Sequence, residues 1–184
     1  MPPISRARPS PAWWKPARQQ KAWSASRSLS SWKRQAEAVL AAWPVPVSFG
    51  GDRACYLLGI DRIQLSDRAS FHSPAAFCAA SAHEQIHSTG HESRLKRDLG
   101  GAFRKARYAR EELVAELGAV LLGDRLEIGS EIESHAAYLG NWIVLLKESP
   151  KVLFQVLSEA RQAADLICPE VPGQPKVDGE AHPA

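Results

Sequence analysis

Apolar side chains at Trp32, Ala36, Val39, Leu40 and Trp43 fall on one side of a helix. They predict a short helix over residues 31–43, ended by Pro44 and Pro46. The pattern then shortens: residues 45–48, 54–58 and 63–65 read as strands, with Gly50-Gly51-Asp52 as the turn of a hairpin. From Ala75 to Ser88 nothing breaks a helix, Ser73 and Pro74 suit its start, and Gly90 supplies a stop. Helical spacing returns at about 108–125, 131–148 and 150–167, the last opened by Pro150. In the first of these, Leu113, Leu117, Val120 and Leu121 read as a core stripe. The basic stretch 95–107 is a linker with a loop placed to border a cleft. The expected class is α+β: a small, mostly antiparallel sheet packed against one alanine-rich helix and three further helices.

Composition fits one small domain. The 184 residues are 45% hydrophobic and 23% charged, enough for a single core. Cys55, Cys78 and Cys168 are scattered, odd in number and without metal-ligand spacing, which suggests buried thiols in a reducing cytoplasm. No apolar run approaches the length of a membrane span, and no signal-peptide core follows the basic N-terminus. Charge is uneven: the first 36 residues hold eight cations and no acid, against a formal net charge of +3 for the whole chain. Trp13, Trp14, Trp23 and Trp32 are interleaved with those cations, a composition suited to single-stranded DNA. Five prolines and many serines favour the plainer reading, a disordered leader over 1–32 or a start misassigned upstream of a truncated gene. The expected organisation is this leader, a domain over 33–168, and a disordered tail over 169–184.

Chemistry concentrates at His83-Glu84-Gln85-Ile86-His87, the H-E-x-x-H spacing of zinc hydrolases. Residues four apart share a helix face, so the two imidazoles can converge on one metal. Glu84, about 100° round the helix from His83, is left to reach an activated water as general base. A third histidine at the metzincin spacing is missing, because that position is Ser93. The third ligand is therefore sought among the acids of the following helix, where Glu112 and Glu116 share a face beside Ala115 and Ala119. Glu112 is assigned as ligand and Glu116 as the carboxylate holding one histidine by its distal N–H. The bland alternative is a solvated acidic face, and Glu111, about 100° away, is the nearest alternative ligand. Zn2+ is the expected ion, with Mn2+ or Co2+ accepted by the same donors. His135 and Tyr138 are candidates for stabilising an oxyanion, against a capped core histidine and an interface tyrosine. Arg94 is a candidate for a substrate carboxylate, against a role in cementing a loop.

Gly50-Gly51-Asp52-Arg53-Ala54, Asp61-Arg62-Ile63-Gln64-Leu65, the segments 83–91, 93–99 and 108–122, His135-Ala136-Ala137-Tyr138-Leu139 and Ala163-Ala164-Asp165-Leu166 occur in one order. Together they resemble the zincin-like, gluzincin-type metallopeptidase domain of ArdC-type antirestriction proteins, also present in conjugative-plasmid primases and phage polyvalent proteins. The resemblance covers about residues 33–168. It implies a metal site of His83, His87 and Glu112, with Glu84 as catalytic carboxylate. It also implies a cytoplasmic role in protecting incoming DNA, with a protein or peptide as substrate. Two departures stand out. Gln85 and Ile86 occupy positions where the family usually has leucine and a small residue, which predicts altered packing without loss of metal. The family's N-terminal single-stranded DNA-binding domain has no counterpart in this sequence. A non-catalytic, DNA-associated antirestriction module, or a truncated remnant with a structural metal, is therefore the alternative to a peptidase.

Overall fold

The computed structural model describes residues 31–99, 106–128, 147 and 151–170. Most of the leader, nearly all of the expected 131–148 helix (His135 and Tyr138 included) and most of the tail lie outside these residues. In chain order the described elements are α1 (Ser31–Ala42), β1 (Val47–Phe49), β2 (Cys55–Leu57), β3 (Arg62–Leu65), α2 (Pro74–Thr89), α3 (Ala106–Arg125) and α4 (Lys151–Ile167). The class is α+β, as the sequence predicts.

The sheet is mixed rather than mostly antiparallel. Its order is β1-β3-β2, with β1 parallel to β3 and β2 antiparallel to β3. Gly50-Gly51-Asp52 is therefore not a hairpin turn, since the strands it joins do not pair. Positive φ at Gly50 and Gly51, 115° and 73°, swings the chain away after β1. Gly50 N–H then donates to Leu65 O at 3.0 Å, and Gln64 Nε2 donates back to Gly50 O at 2.6 Å. Those bonds tie the turn to β3. The hairpin is β2–β3 instead, closed by a 3-10 turn over Leu58–Ile60 with Asp61 left-handed at φ 46°.

Helix α2 is the hub, in contact with α1, α3, α4, β2 and β3. Small residues make this possible: Cys78, Ala80 and Ala82 are fully buried, so neighbours approach the helix axis closely. Trp43, just after α1, donates its indole N–H to Ser88 Oγ at 2.8 Å, and Gln85 Nε2 donates to Leu40 O at 2.8 Å. Gln85 thus latches α1 onto α2. On α3, Leu113 is buried and Leu117 and Leu121 pack against the core, but Val120 is 37% exposed. The buried surface of α3 turns away from Val120 to include the unbroken run 111–116, because α2 and α4 both pack on it. No helix among the described residues is long and apolar enough to cross a membrane.

Candidate metal centre

Helix α2 starts as its sequence dictates. Ser73 has extended backbone and its Oγ accepts from Ala76 N–H at 3.0 Å, with Pro74 in the first turn. Its end is less conventional. Gly90 is right-handed at φ −76°, so it is not needed for a left-handed cap. It is needed for space: a Cβ there would stand 2.6 Å from Leu99 Cδ2 and 3.0 Å from Arg97 Nη2. The glycine lets the following segment fold back over the last turn of the helix.

The last two turns of α2 carry His83, Glu84 and His87, opposite Glu111, Glu112 and Glu116 of α3. All six are at most 2% exposed. The two Nε2 atoms face one another at 3.1 Å. Glu112 lies across from both, with Oε2 at 3.7 Å from His83 Nε2 and Oε1 at 3.5 Å from His87 Nε2. Glu116 Oε1 is 3.7 Å from His83 Nδ1, on the same side as that ring nitrogen but beyond hydrogen-bond distance. α2 and α3 come this close at a second glycine: a Cβ on Gly118 would stand 2.8 Å from Ile86 Cγ2. The bulk of Ile86 inside the pentapeptide is accommodated there.

Sequence reasoning missed two participants. Glu111, expected about 100° away and only as an alternative ligand, sets Oε1 3.1 Å from His87 Nδ1. Arg97, taken as part of a basic linker, grips Glu111 through two bonds: Nε to Oε2 at 3.1 Å and Nη2 to Oε1 at 2.9 Å. A basic residue shortly after an H-E-x-x-H helix, with paired acids on the next helix, was the available signal. Arg94 is engaged by this chain's own groups. It forks onto Asp61 and donates Nε–H to Ser88 O at 2.8 Å, and Tyr56 Oη donates to Asp61 Oδ1 at 2.6 Å. Its place is a clamp between the α2 exit and the β2–β3 hairpin. The Arg94 hydrogen bonds hold the Asp61 carboxyl below the ordinary carboxylate range. Cys55 of β2 feels the charge of Glu84: burial first, then that carboxylate, push its thiol up to about 11. Edge strand β2 therefore borders the Glu84 side of the centre.

The donor set suits a divalent cation. A carboxylate only accepts, so Glu111, 3.1 Å away, takes the N–H of His87 on Nδ1, while Glu116 stands farther off, 3.7 Å from His83 Nδ1. The His87 Nε2 lone pair then points toward His83 Nε2 and Glu112, three donor groups that one cation could share. Ligand bonds of about 2.1 Å at tetrahedral angles set donors about 3.4 Å apart, matching the separations seen. Four carboxylates (Glu84, Glu111, Glu112, Glu116) are buried here, and buried charge is costly unless paired or bound to metal. Among the described residues, His83, His87 and Glu112 form the cluster able to hold an ion.

An H-E-x-x-H helix facing a carboxylate on a second helix offers the donor set of a zincin-type site, two histidines and a glutamate. Comparison with known proteins gives the family. Residues 34–159 match the family model described as zincin-like metallopeptidase (MPTase-PolyVal), and the chain belongs to that family. It is 40% identical to a DNA primase TraC of Escherichia coli over 151 residues, 82% of this chain but 14% of the primase. Among solved structures it resembles the antirestriction ArdC protein from the R388 plasmid. The Mn(II)-bound form matches with TM-score 0.67 and 32% identity over 83% of this chain and 56% of that one. The metal-free form matches with TM-score 0.62 and 39% identity over 72% and 48%.

Proposed function

We propose that the domain is a metal-dependent peptidase in which His83, His87 and Glu112 hold a divalent cation and Glu84 is the general base. The observation that carries this reading is the convergence of two imidazole Nε2 atoms and one carboxylate in a buried, carboxylate-rich setting. Zn2+ fits the donors, and Mn2+ is supported by the Mn(II)-bound form of the similar ArdC protein. When bound, such an ion acts as a Lewis acid toward water and a carbonyl oxygen. The chain's own part is proton transfer and exclusion of solvent. Glu84 accepts a proton from the attacking water and returns it to the leaving amine, and its burial keeps competing water from the carboxylate. The test is cleavage of unfolded casein with Zn2+ or Mn2+, with EDTA, and by Glu84→Gln. Metal-dependent cleavage that falls by about 10²- to 10⁴-fold in Glu84→Gln at unchanged metal content supports the reading. Full activity in that variant removes Glu84 from its role.

A second reading has its own support: the matched relatives are named as an antirestriction protein and a DNA primase, both tied to DNA. On it the cation is structural and the domain shields DNA without hydrolysis. Protection of a restriction-sensitive plasmid that survives Glu84→Gln but not loss of metal would favour this second reading.

A further inference from the structure

Arg97 is a cation placed where, on Coulomb's law alone, a cation should weaken a metal site. Its side chain is 4% exposed. Every contact it makes is specific. Nη1 donates to Thr89 Oγ1 at 2.7 Å, Nη2 to Ile86 O at 2.8 Å, and Nε and Nη2 to the two oxygens of Glu111. Its backbone N–H donates to Gly90 O at 3.0 Å, which closes the segment back over α2. Glu111 in turn stands 3.1 Å from His87 Nδ1. One line of contacts therefore runs from Arg97 through Glu111 to a metal-facing imidazole, and neither outer member touches the space between the Nε2 atoms.

We infer that Arg97 and Glu111 are a positioning pair that sets cation affinity by fixing the tautomer and angle of His87. The inference rests on the metal-site reading above. Glu111 is one of four buried carboxylates, and like charge on Glu84 across the interface and on Glu112 and Glu116 along α3 pushes it outward. The guanidinium fork holds it in place, because two parallel bonds fix both its distance and its plane. Held there, Glu111 keeps the His87 proton on Nδ1 and the Nε2 lone pair inward. Arg97 itself is anchored to α2 through Ile86 O and Thr89, so it ties Glu111 of α3 to the helix that carries His87.

The two possible actions of Arg97 have opposite signs. As a bare charge it opposes the cation, and removing it tightens binding. As a positioning residue it aids the cation, and removing it weakens binding. The experiment is titration of Mn2+ and Zn2+ into chelator-treated full-length protein by calorimetry. The variants are Arg97→Gln, Arg97→Lys, Glu111→Gln and the double substitution, with circular dichroism in EDTA to establish that each is folded. Weakening by about 10- to 100-fold is expected in each single glutamine variant, the usual scale for partners of metal-bound histidine. The double variant should be no weaker than the weaker single one, because both act through one path. Arg97→Lys keeps the charge without the fork and should recover only part of the affinity. The d–d bands of the Co2+-loaded protein should shift in Arg97→Lys, a change that a merely structural role would not cause. Unchanged or tighter binding in Arg97→Gln, or additive losses in the double variant, overturns the pairing. Should Arg97→Gln not fold, Glu111→Gln and Arg97→Lys decide alone: affinity equal to wild type in both overturns it. Absence of metal binding by the wild-type protein is a different result, and defeats the metal site itself.

Discussion

His83 Nε2 and His87 Nε2 stand 3.1 Å apart, and Glu111, 3.1 Å from His87 Nδ1, takes the His87 proton and leaves its Nε2 an acceptor. Both rings project from α2 toward Glu112 of α3, and a cation shared by the three would tie the two helices together. Binding to the folded state alone stabilises by RT ln(1 + [L]/Kd), about 2.7 kcal/mol at a hundredfold excess over Kd. For a domain of this size the melting temperature should rise by about 5 to 10 °C with Zn2+ or Mn2+ and fall back in EDTA. His87→Ala should lose that metal-dependent rise. Equal melting with ion and with chelator would contradict it.

Gly118 sets how closely α3 can lie on α2. Gly118→Ala would place a methyl 2.8 Å from Ile86 Cγ2 and 2.9 Å from Ile86 Cδ1. Overpacking of this kind costs about 1–3 kcal/mol, offset in part by about 1 kcal/mol of better helix propensity. Ile86 adjoins His87, and Gly118 is two residues beyond Glu116, so the same substitution should also weaken metal binding. Combining it with Ile86→Val should restore part of both losses, as urea unfolding and metal titration would show. Additive losses in the double variant would mean that the two side chains do not share this space.

Asp61 links the β2–β3 hairpin to the exit of α2 through Arg94 and Tyr56. Its carboxyl is held below its ordinary value of 3.8, by the Arg94 hydrogen bonds first and Tyr56 after them. The folded value lies below the unfolded one, so the stabilisation is present above about pH 4 and is lost as pH falls through the folded value. Asp61→Asn keeps the left-handed backbone at φ 46°, which asparagine tolerates, and removes the charge together with one of the two accepting oxygens. The variant should be less stable than wild type at pH 7 by urea unfolding. The gap should close as the pH is lowered below 4. A gap independent of pH would assign the loss to packing instead.

The helix of the histidine pair was legible because every signal for it is local: a serine cap, a proline, an alanine-rich run and the four-residue histidine spacing. Glu112 was legible for the same reason, as an acid repeating at helical spacing beside small residues. The contact of Glu111 with His87 Nδ1 was not, since a one-stripe picture of α3 turns Glu111 away and leaves it only an alternative ligand. The helix is buried by α2 and α4 together, and its inward arc is wide enough to include neighbours 100° apart. Sheet pairing failed on similar grounds. A glycine-rich turn between two strands suggests a hairpin, but pairing is decided by bonds to a third strand that is distant in the chain, here Leu65 and Gln64 to Gly50. Gly90 was correctly seen as ending α2 but for a different reason, because the steric need arises from Arg97 and Leu99 folding back.

The account stands on His83, His87 and Glu112 sharing one divalent cation. Its most direct test is elemental analysis of the purified protein and of Glu112→Ala, each loaded with Zn2+ or Mn2+ and then dialysed. The account predicts about one ion per chain in the wild type and almost none in Glu112→Ala, with the helical content unchanged. Full occupancy in Glu112→Ala, or none in a folded wild-type protein, would contradict it.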